Sequence, residues 1–303
     1  SGNYYLRSGW GREANVLHFH CGTMGAGHGH SDKLHIDLVV RGEDVLADSG
    51  RCTYAVDKGR FDFKNPDAHN TITVDGKYFT VCKDSWECSK LCQPVKQLHK
   101  FTDQYEFVQG GHLGYLDSAG GVFVNRKILW IKPDLYVVMD EMYSGDPHSY
   151  EQYWNFSELG QLDLSGEDIP FLDEGGIGTG AVQTARFKGK KAQAKFYFMT
   201  PTSRAEKLWG KIARHYNQQE MRQKLRVNLK GEGFASLLTV IQTGDAKGLP
   251  ECRVERMPVK SALKGIYYPY SMAEGLRIRG DGREYVVIIC HQEVNSPTDL
   301  EEV

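Results

Sequence analysis

Apolar and polar positions alternate with a period of two through much of this chain. Leu34, Ile36, Leu38 and Val40 interleave with Lys33, His35, Asp37 and Val39, the pattern of a strand with one buried face. Arg41-Gly42-Glu43-Asp44 then turns the chain into a second strand at Val45-Leu46-Ala47. Thr71-Ile72-Thr73-Val74 ends at Asp75-Gly76, a dipeptide suited to a tight hairpin turn. Residues 122–131 and 135–142 flank a turn at Lys132-Pro133-Asp134, and an aromatic alternating segment follows at 150–156. Further strands are predicted over 194–199, 235–242 and 285–290. Residues 203–223 are the one stretch with a mostly helical reading, on poor apolar spacing. The glycine-rich segments 175–178 and 231–233 read as loops. Together these elements predict an all-β fold, a large antiparallel multi-stranded β-sandwich of the supersandwich kind with few short helices.

Composition narrows the classes of function. A chain of 303 residues, 40% of them hydrophobic, is long enough for one large core. The net charge of −2 gives no bulk attraction to nucleic acid or to an anionic membrane, so any acidic ligand must meet local positive charge. No apolar run is long enough for a spanning helix. The N-terminus, Ser1-Gly2-Asn3-Tyr4-Tyr5, carries no signal-peptide pattern and enters ordered-looking sequence at once, which suggests a fragment or a processed chain. Seven cysteines, an odd number in a chain of this length, do not read as a disulfide framework. Cys82, Cys88 and Cys92 cluster with His99 nearby, but their spacing fits ordinary thiols better than a zinc module.

The candidate chemistry lies in three short motifs: Gly27-His28-Gly29-His30-Ser31-Asp32, Asp48-Ser49-Gly50 and Ala68-His69-Asn70-Thr71. They gather three histidines and two aspartates in turn-like sequence, a mixture that suits zinc or a proton-transfer site. His28 and His30 would share a face if the segment were extended. Asp48 also has a plain reading, as a turn residue capping its own backbone. Asp32 and Asn70 are candidates to orient a metal-bound imidazole, with turn formation as the alternative for Asp32. His18, His20 and His35 read as partly exposed sheet residues beside the motif.

Arg7-Ser8-Gly9-Trp10, Gly25-Ala26-Gly27-His28-Gly29-His30-Ser31-Asp32, Asp48-Ser49-Gly50-Arg51 with Thr53-Tyr54, and Asp67-Ala68-His69-Asn70-Thr71 before Val74-Asp75-Gly76 occur in that order. In these motifs the chain resembles the C-terminal sheet domain of the heparinase II/III-like polysaccharide lyases. The resemblance implies that residues 1–303 form that domain and that a helical toroid, which supplies a catalytic tyrosine, belongs upstream. It implies β-elimination on a uronic-acid-containing polysaccharide or oligosaccharide, heparin-, heparan-sulfate- or alginate-like. By the same resemblance His28 faces the substrate, with Arg51 and Tyr54 as further substrate contacts. The resemblance further implies that His30, Asp48 and His69 hold a zinc ion. The sequence departs from the family at Cys52, where a tyrosine is common, and at Phe63-Lys64-Asn65-Pro66-Asp67, where a basic, small-residue stretch is usual.

Two other classes stay open at this point. Gly22 followed by His28-Gly29-His30 matches the opening of a cupin metal motif, which then needs a glutamate where this chain has Leu34 and His35. A non-catalytic carbohydrate-binding or scaffold domain with a structural metal is the other. The family resemblance implies export to the periplasm or beyond, whereas unpaired cysteines suit a reducing compartment.

Overall fold

The computed structural model describes residues 2–25, 28–55, 58–95, 97–117, 120–173, 176–291 and 300–302. The alternating segments become strands of three main sheets. The first is antiparallel, with Asn3–Arg7, Val16–His20, His35–Val40 and Glu43–Leu46 side by side in sequence order. A second, eleven-stranded sheet runs from Arg283–Cys290 through Ala273–Gly280, Cys252–Met257, Gln161–Asp173 and Gly176–Lys188 to Ala192–Phe198. It continues through Phe234–Asp245, Leu135–Tyr143, Val122–Ile131 and Tyr105–Tyr115 to Leu98–Phe101. Neighbours in it are antiparallel except Gln161–Asp173 and Cys252–Met257, which meet in parallel at Phe171 and Arg256. The third sheet orders Arg204–His215, Gln218–Gly231, His148–Asn155 and Ile72–Val74.

The centre of the large sheet is buried on both faces. Along Leu135–Tyr143, the side chains of Tyr136, Val138 and Met142 enter a core shared with Phe19, Ile36, Trp154 and Leu225 of the two smaller sheets. Val137 and Met139 point the other way, into a second core with Val254, Leu276, Ile278 and Ile289. Two buried faces explain why apolar residues in 135–142 and 235–242 fall on both sides of the strand instead of strictly alternating. The turn at Asp75-Gly76 forms as expected: both residues have positive φ, 53° and 63°, and the Lys77 amide donates to the Val74 carbonyl at 2.9 Å. The strand before it, however, pairs with His148–Asn155 instead of folding back into a long hairpin.

Two expectations are corrected. Residues 203–223 are not helical; they belong to Arg204–His215 and Gln218–Gly231, a hairpin that turns at Asn217, whose φ is 58°. Its inner face carries Ala205, Leu225 and Val227, but Trp209 and Met221 are exposed on the outside, and these outward apolar residues blur the alternation. Residues 176–178 lie in a strand paired with 171–173, while 174 and 175 are outside the described residues. The few short helices expected include Lys58–Lys64, whose place the pattern does not mark. This helix buries Arg60, Phe63 and Lys64, so two of its three inward positions are cationic and give no apolar stripe.

Candidate functional site

Three connections of the first sheet converge at the edge of the core. His30 lies in the loop between Val16–His20 and His35–Val40, Asp48 just past Glu43–Leu46, and His69 after the 3-10 turn Pro66–Ala68. In the first loop, Gly29 passes so close to Met24 that a Cβ would overlap the Met24 carbonyl oxygen. Ala26 and Gly27 of this motif are outside the described residues. Asp48 does cap its own turn: its Oδ1 accepts from the Gly50 amide at 2.6 Å. Gly50 has φ +69° and backs onto the Ala213 carbonyl, which leaves no room for a side chain.

Arg222, fully buried, ties the last two connections together. Its guanidinium donates to the Ala47 carbonyl at 2.6 Å, to Ser49 Oγ, and to the Ala68 carbonyl at 3.3 Å. Asn70 acts on the backbone: its side-chain amide donates to the Ile36 carbonyl at 2.7 Å and its oxygen accepts from the Asn155 amide at 2.5 Å. Asn155 in turn donates to the His69 carbonyl at 2.9 Å. Asn70 thereby fixes the chain that carries His69, and among the described residues it makes no hydrogen bond to the His69 ring.

The result is that His30, Asp48 and His69 bring one possible ligand atom each within 4.8 Å of one another. His69 Nδ1 donates to Asp48 Oδ2 at 2.7 Å, and its Nε2 is buried without a hydrogen-bond partner. Burial, followed by the neighbouring His69, pushes His30 down to about 4, so its imidazole is neutral at pH 7 and its lone pair is available. Burial alone would raise Asp48, but His69, through charge and hydrogen bond, holds it well below the usual carboxylate range. Two imidazoles and an ionised carboxylate are a zinc donor set; in a tetrahedral shell their donor atoms stand roughly 3.3 Å apart. The group fits the ion after a small contraction. Arg60 donates to His30 Nε2 at 3.2 Å, and a metal taking that lone pair would displace this bond.

Behind the three lies a network that sequence reasoning missed. His35 is buried rather than partly exposed. It accepts from the Asn70 amide on Nδ1 at 2.9 Å and donates from Nε2 to Asp37 at 2.9 Å. Asp37 also accepts from the Asp48 backbone amide at 2.7 Å and pairs with His18 at 3.1 Å. Asp32 faces His20 at 3.5 Å and makes no hydrogen bond with His30 among the described residues. The signal was present in the alternation, because His35 and Asp37 share the polar face of one strand.

His28 turns away from His30, Asp48 and His69 and is exposed. Its Nδ1 is 2.7 Å from the Tyr54 hydroxyl, which also accepts from Arg51. Tyr54 stacks on Trp86 at 5.2 Å and 18°, and His28 meets both rings edge-on. Arg51 and Arg60 lie over the Tyr54 ring at 5.2 and 5.3 Å. Tyr216, from the turn between the two long outer strands, stands 6.1 Å away. The structure thus joins His28, Arg51 and Tyr54 into one wall and adds Trp86, Arg60 and Tyr216. A hollow of about 660 Å³ opens on the other side of Asp48, lined by residues that include Tyr5, Arg7, His18 and Arg214.

The family described as heparinase II/III-like, C-terminal, matches residues 1–246. The chain belongs to that family. Within the heparinase II/III-like proteins, the heparin-sulfate lyase of Pedobacter heparinus is 21% identical over 166 residues, which are 52% of this chain and 22% of that protein. A solved heparinase III shares the fold with a TM-score of 0.73 at 16% identity, over 96% of this chain and 41% of that one. The heparan sulfate lyase HepC from Pedobacter heparinus gives a TM-score of 0.72 at 14% identity, over 97% and 42%. The chain therefore spans well under half the length of these relatives. The cupin reading is set aside: His35, where that motif would place its acidic ligand, is a buried partner of Asp37.

Proposed function

We propose that this heparinase II/III-like domain forms one wall of a polysaccharide lyase that cleaves a uronic-acid-containing glycan by β-elimination. The reading is carried by one observation: in a chain of this family, an exposed His28–Tyr54 pair with Arg51 on its hydroxyl stands beside the convergent His30, Asp48 and His69. The named relatives act on heparin or heparan sulfate, and we assign this chain the same class of acidic polymer.

β-Elimination removes the proton alpha to the uronate carboxylate and expels the oxygen at C4. The C–H is only weakly acidic until the carboxylate charge is offset, and the leaving oxygen needs a proton. Arg51 offers the positive charge that the chain's overall balance does not supply. His28 and Tyr54, sharing one hydrogen bond, can hold and pass a proton at the face open to solvent. Exposed Trp86 and Tyr216 give flat apolar surface for a sugar ring. Zinc, when bound by His30, Asp48 and His69, would cross-link three separate connections and act as a structural ion.

Such a wall lacks the opposite side of a cleft, which we assign to a helical toroid domain of the same protein. Accurate positioning carries much of the rate in such reactions. The 303-residue chain alone is therefore expected to be silent on heparan sulfate and alginate in an assay of the ultraviolet absorbance of unsaturated uronate. The longer protein with its toroid should turn over one of them. Robust turnover by the short chain would sink the half-cleft reading, and glycan binding without turnover by the long one would favour a carbohydrate-binding module.

A further inference from the structure

The cysteine cluster singled out in the sequence divides in the fold. Cys92 is buried, and His99 stacks on Phe101 at 5.2 Å. Cys82 and Cys88 face each other as direct partners in a small antiparallel ribbon, Val81–Cys82 with Cys88–Lys90. Their Sγ atoms are 3.1 Å apart, and Cys88 Sγ also contacts the Met24 sulfur at 3.7 Å. Both side chains are partly exposed.

The ribbon's turn holds this geometry. The Lys83 amide donates to the Glu87 carbonyl at 2.9 Å. Asp84 Oδ1 accepts from the Trp86 and Glu87 amides at 2.6 and 2.7 Å. A covalent S–S bond of about 2.05 Å needs the sulfurs to approach by about 1 Å, a distance that side-chain rotation supplies without moving the backbone far. The same turn carries part of the aromatic wall. Trp86 stacks on Tyr54, Ser85 Oγ donates to the Tyr54 carbonyl at 2.6 Å, and Lys64 donates to the Ser85 carbonyl at 2.9 Å.

We propose that Cys82 and Cys88 are a reversible disulfide site, oxidised by exchange with a small-molecule disulfide of the glutathione class, and that the bond pins the Trp86 turn against Tyr54. One cysteine, as thiolate, attacks a sulfur of the small disulfide, breaks its S–S bond and releases one thiolate. The second cysteine then attacks the protein sulfur of the mixed disulfide, forms the 82–88 bond and releases the other thiolate. The two cysteine protons end on the two released thiols, so the protein loses two electrons and the small disulfide gains them. The pairing of Cys82 with Cys88 makes the second step intramolecular, which keeps the mixed disulfide short-lived.

The test treats the reduced 303-residue chain with excess oxidised glutathione and reads its intact mass and peptide map. The expected product is lighter by about 2 Da, carries a link between residues 82 and 88, and returns to the starting mass with dithiothreitol. Cys82→Ser, which lacks the resolving partner, should instead accumulate a stable glutathione adduct on Cys88. Amide hydrogen exchange over residues 83–87 should slow in the oxidised chain. Retention of all seven thiols, a native chain that stops at the glutathione adduct, or the same loss of hydrogen in Cys82→Ser/Cys88→Ser would overturn the site. Unchanged exchange over 83–87 would overturn the pinning.

Discussion

His28 and His30 are two positions apart, and in a strand their rings would lie on one face. They do not, because the segment between Val16–His20 and His35–Val40 is a loop. His30 turns inward to within 5.4 Å of His69, ring to ring, whereas His28 stays in solvent against Tyr54 and Trp86. This split separates a ring suited to metal from one suited to proton transfer. In the longer protein proposed as a lyase, His28→Ala should lower kcat by about 10²–10⁴-fold, the usual worth of a general acid or base. Zinc content should not change. Elemental analysis run beside initial rates checks both, and a joint loss of zinc and rate would make His28 a ligand. The four residues His28, His30, Asp48 and His69 were legible because each sits in a short motif. Arg60, Trp86, Tyr216 and Arg222 were not, since only the folded chain carries them from distant segments to the same place.

At the level of elements, the misread hairpin and the C-terminal strands show the same limit from two sides. Arg204–His215 and Gln218–Gly231 hide their alternation because they expose Trp209 and Met221. Of the strands Ala273–Gly280 and Arg283–Cys290 only the second was read, over 285–290, and nothing in its pattern shows that a buried polar cluster docks the pair. His291, next to the last of these strands, donates from Nδ1 to Glu141 at 2.6 Å and from Nε2 to Glu274 at 3.1 Å. Lys127 and Asn125 also bond Glu141, and Arg256 and Ser236 bond Glu274. With both nitrogens donating to carboxylates, His291 is an imidazolium. Burial alone would lower its pKa; the hydrogen bonds to Glu141 and Glu274 outweigh it and raise the value above the ordinary one. A group raised by folding contributes stability that is complete below the unfolded imidazole value of about 6.5 and is lost as pH rises through the folded value. The thermal midpoint should therefore fall from mildly acidic to alkaline pH more steeply in the native chain than in His291→Gln. Equal slopes in the two proteins would show that His291 is not charged in the fold.

For the whole molecule, the two-residue period established the all-β class, and two-sided burial along Leu135–Tyr143 and Phe234–Asp245 placed the centre of the large sheet. What the pattern did not reveal was the order of the eleven strands, because pairings such as Ala192–Phe198 with Phe234–Asp245 join segments far apart in the chain. The family match ends at residue 246, so the strands docked through His291 lie beyond it. Within this framework the three converging connections form the most specific arrangement, and their claim on zinc is open to direct measurement. Elemental analysis of the 303-residue chain, purified without added metal, should find about one zinc per chain. His30→Ala and His69→Ala should each abolish that content and lower the melting temperature. Chains that hold no zinc when supplied with it, or variants that hold as much as the native protein, would contradict the assignment of His30, Asp48 and His69.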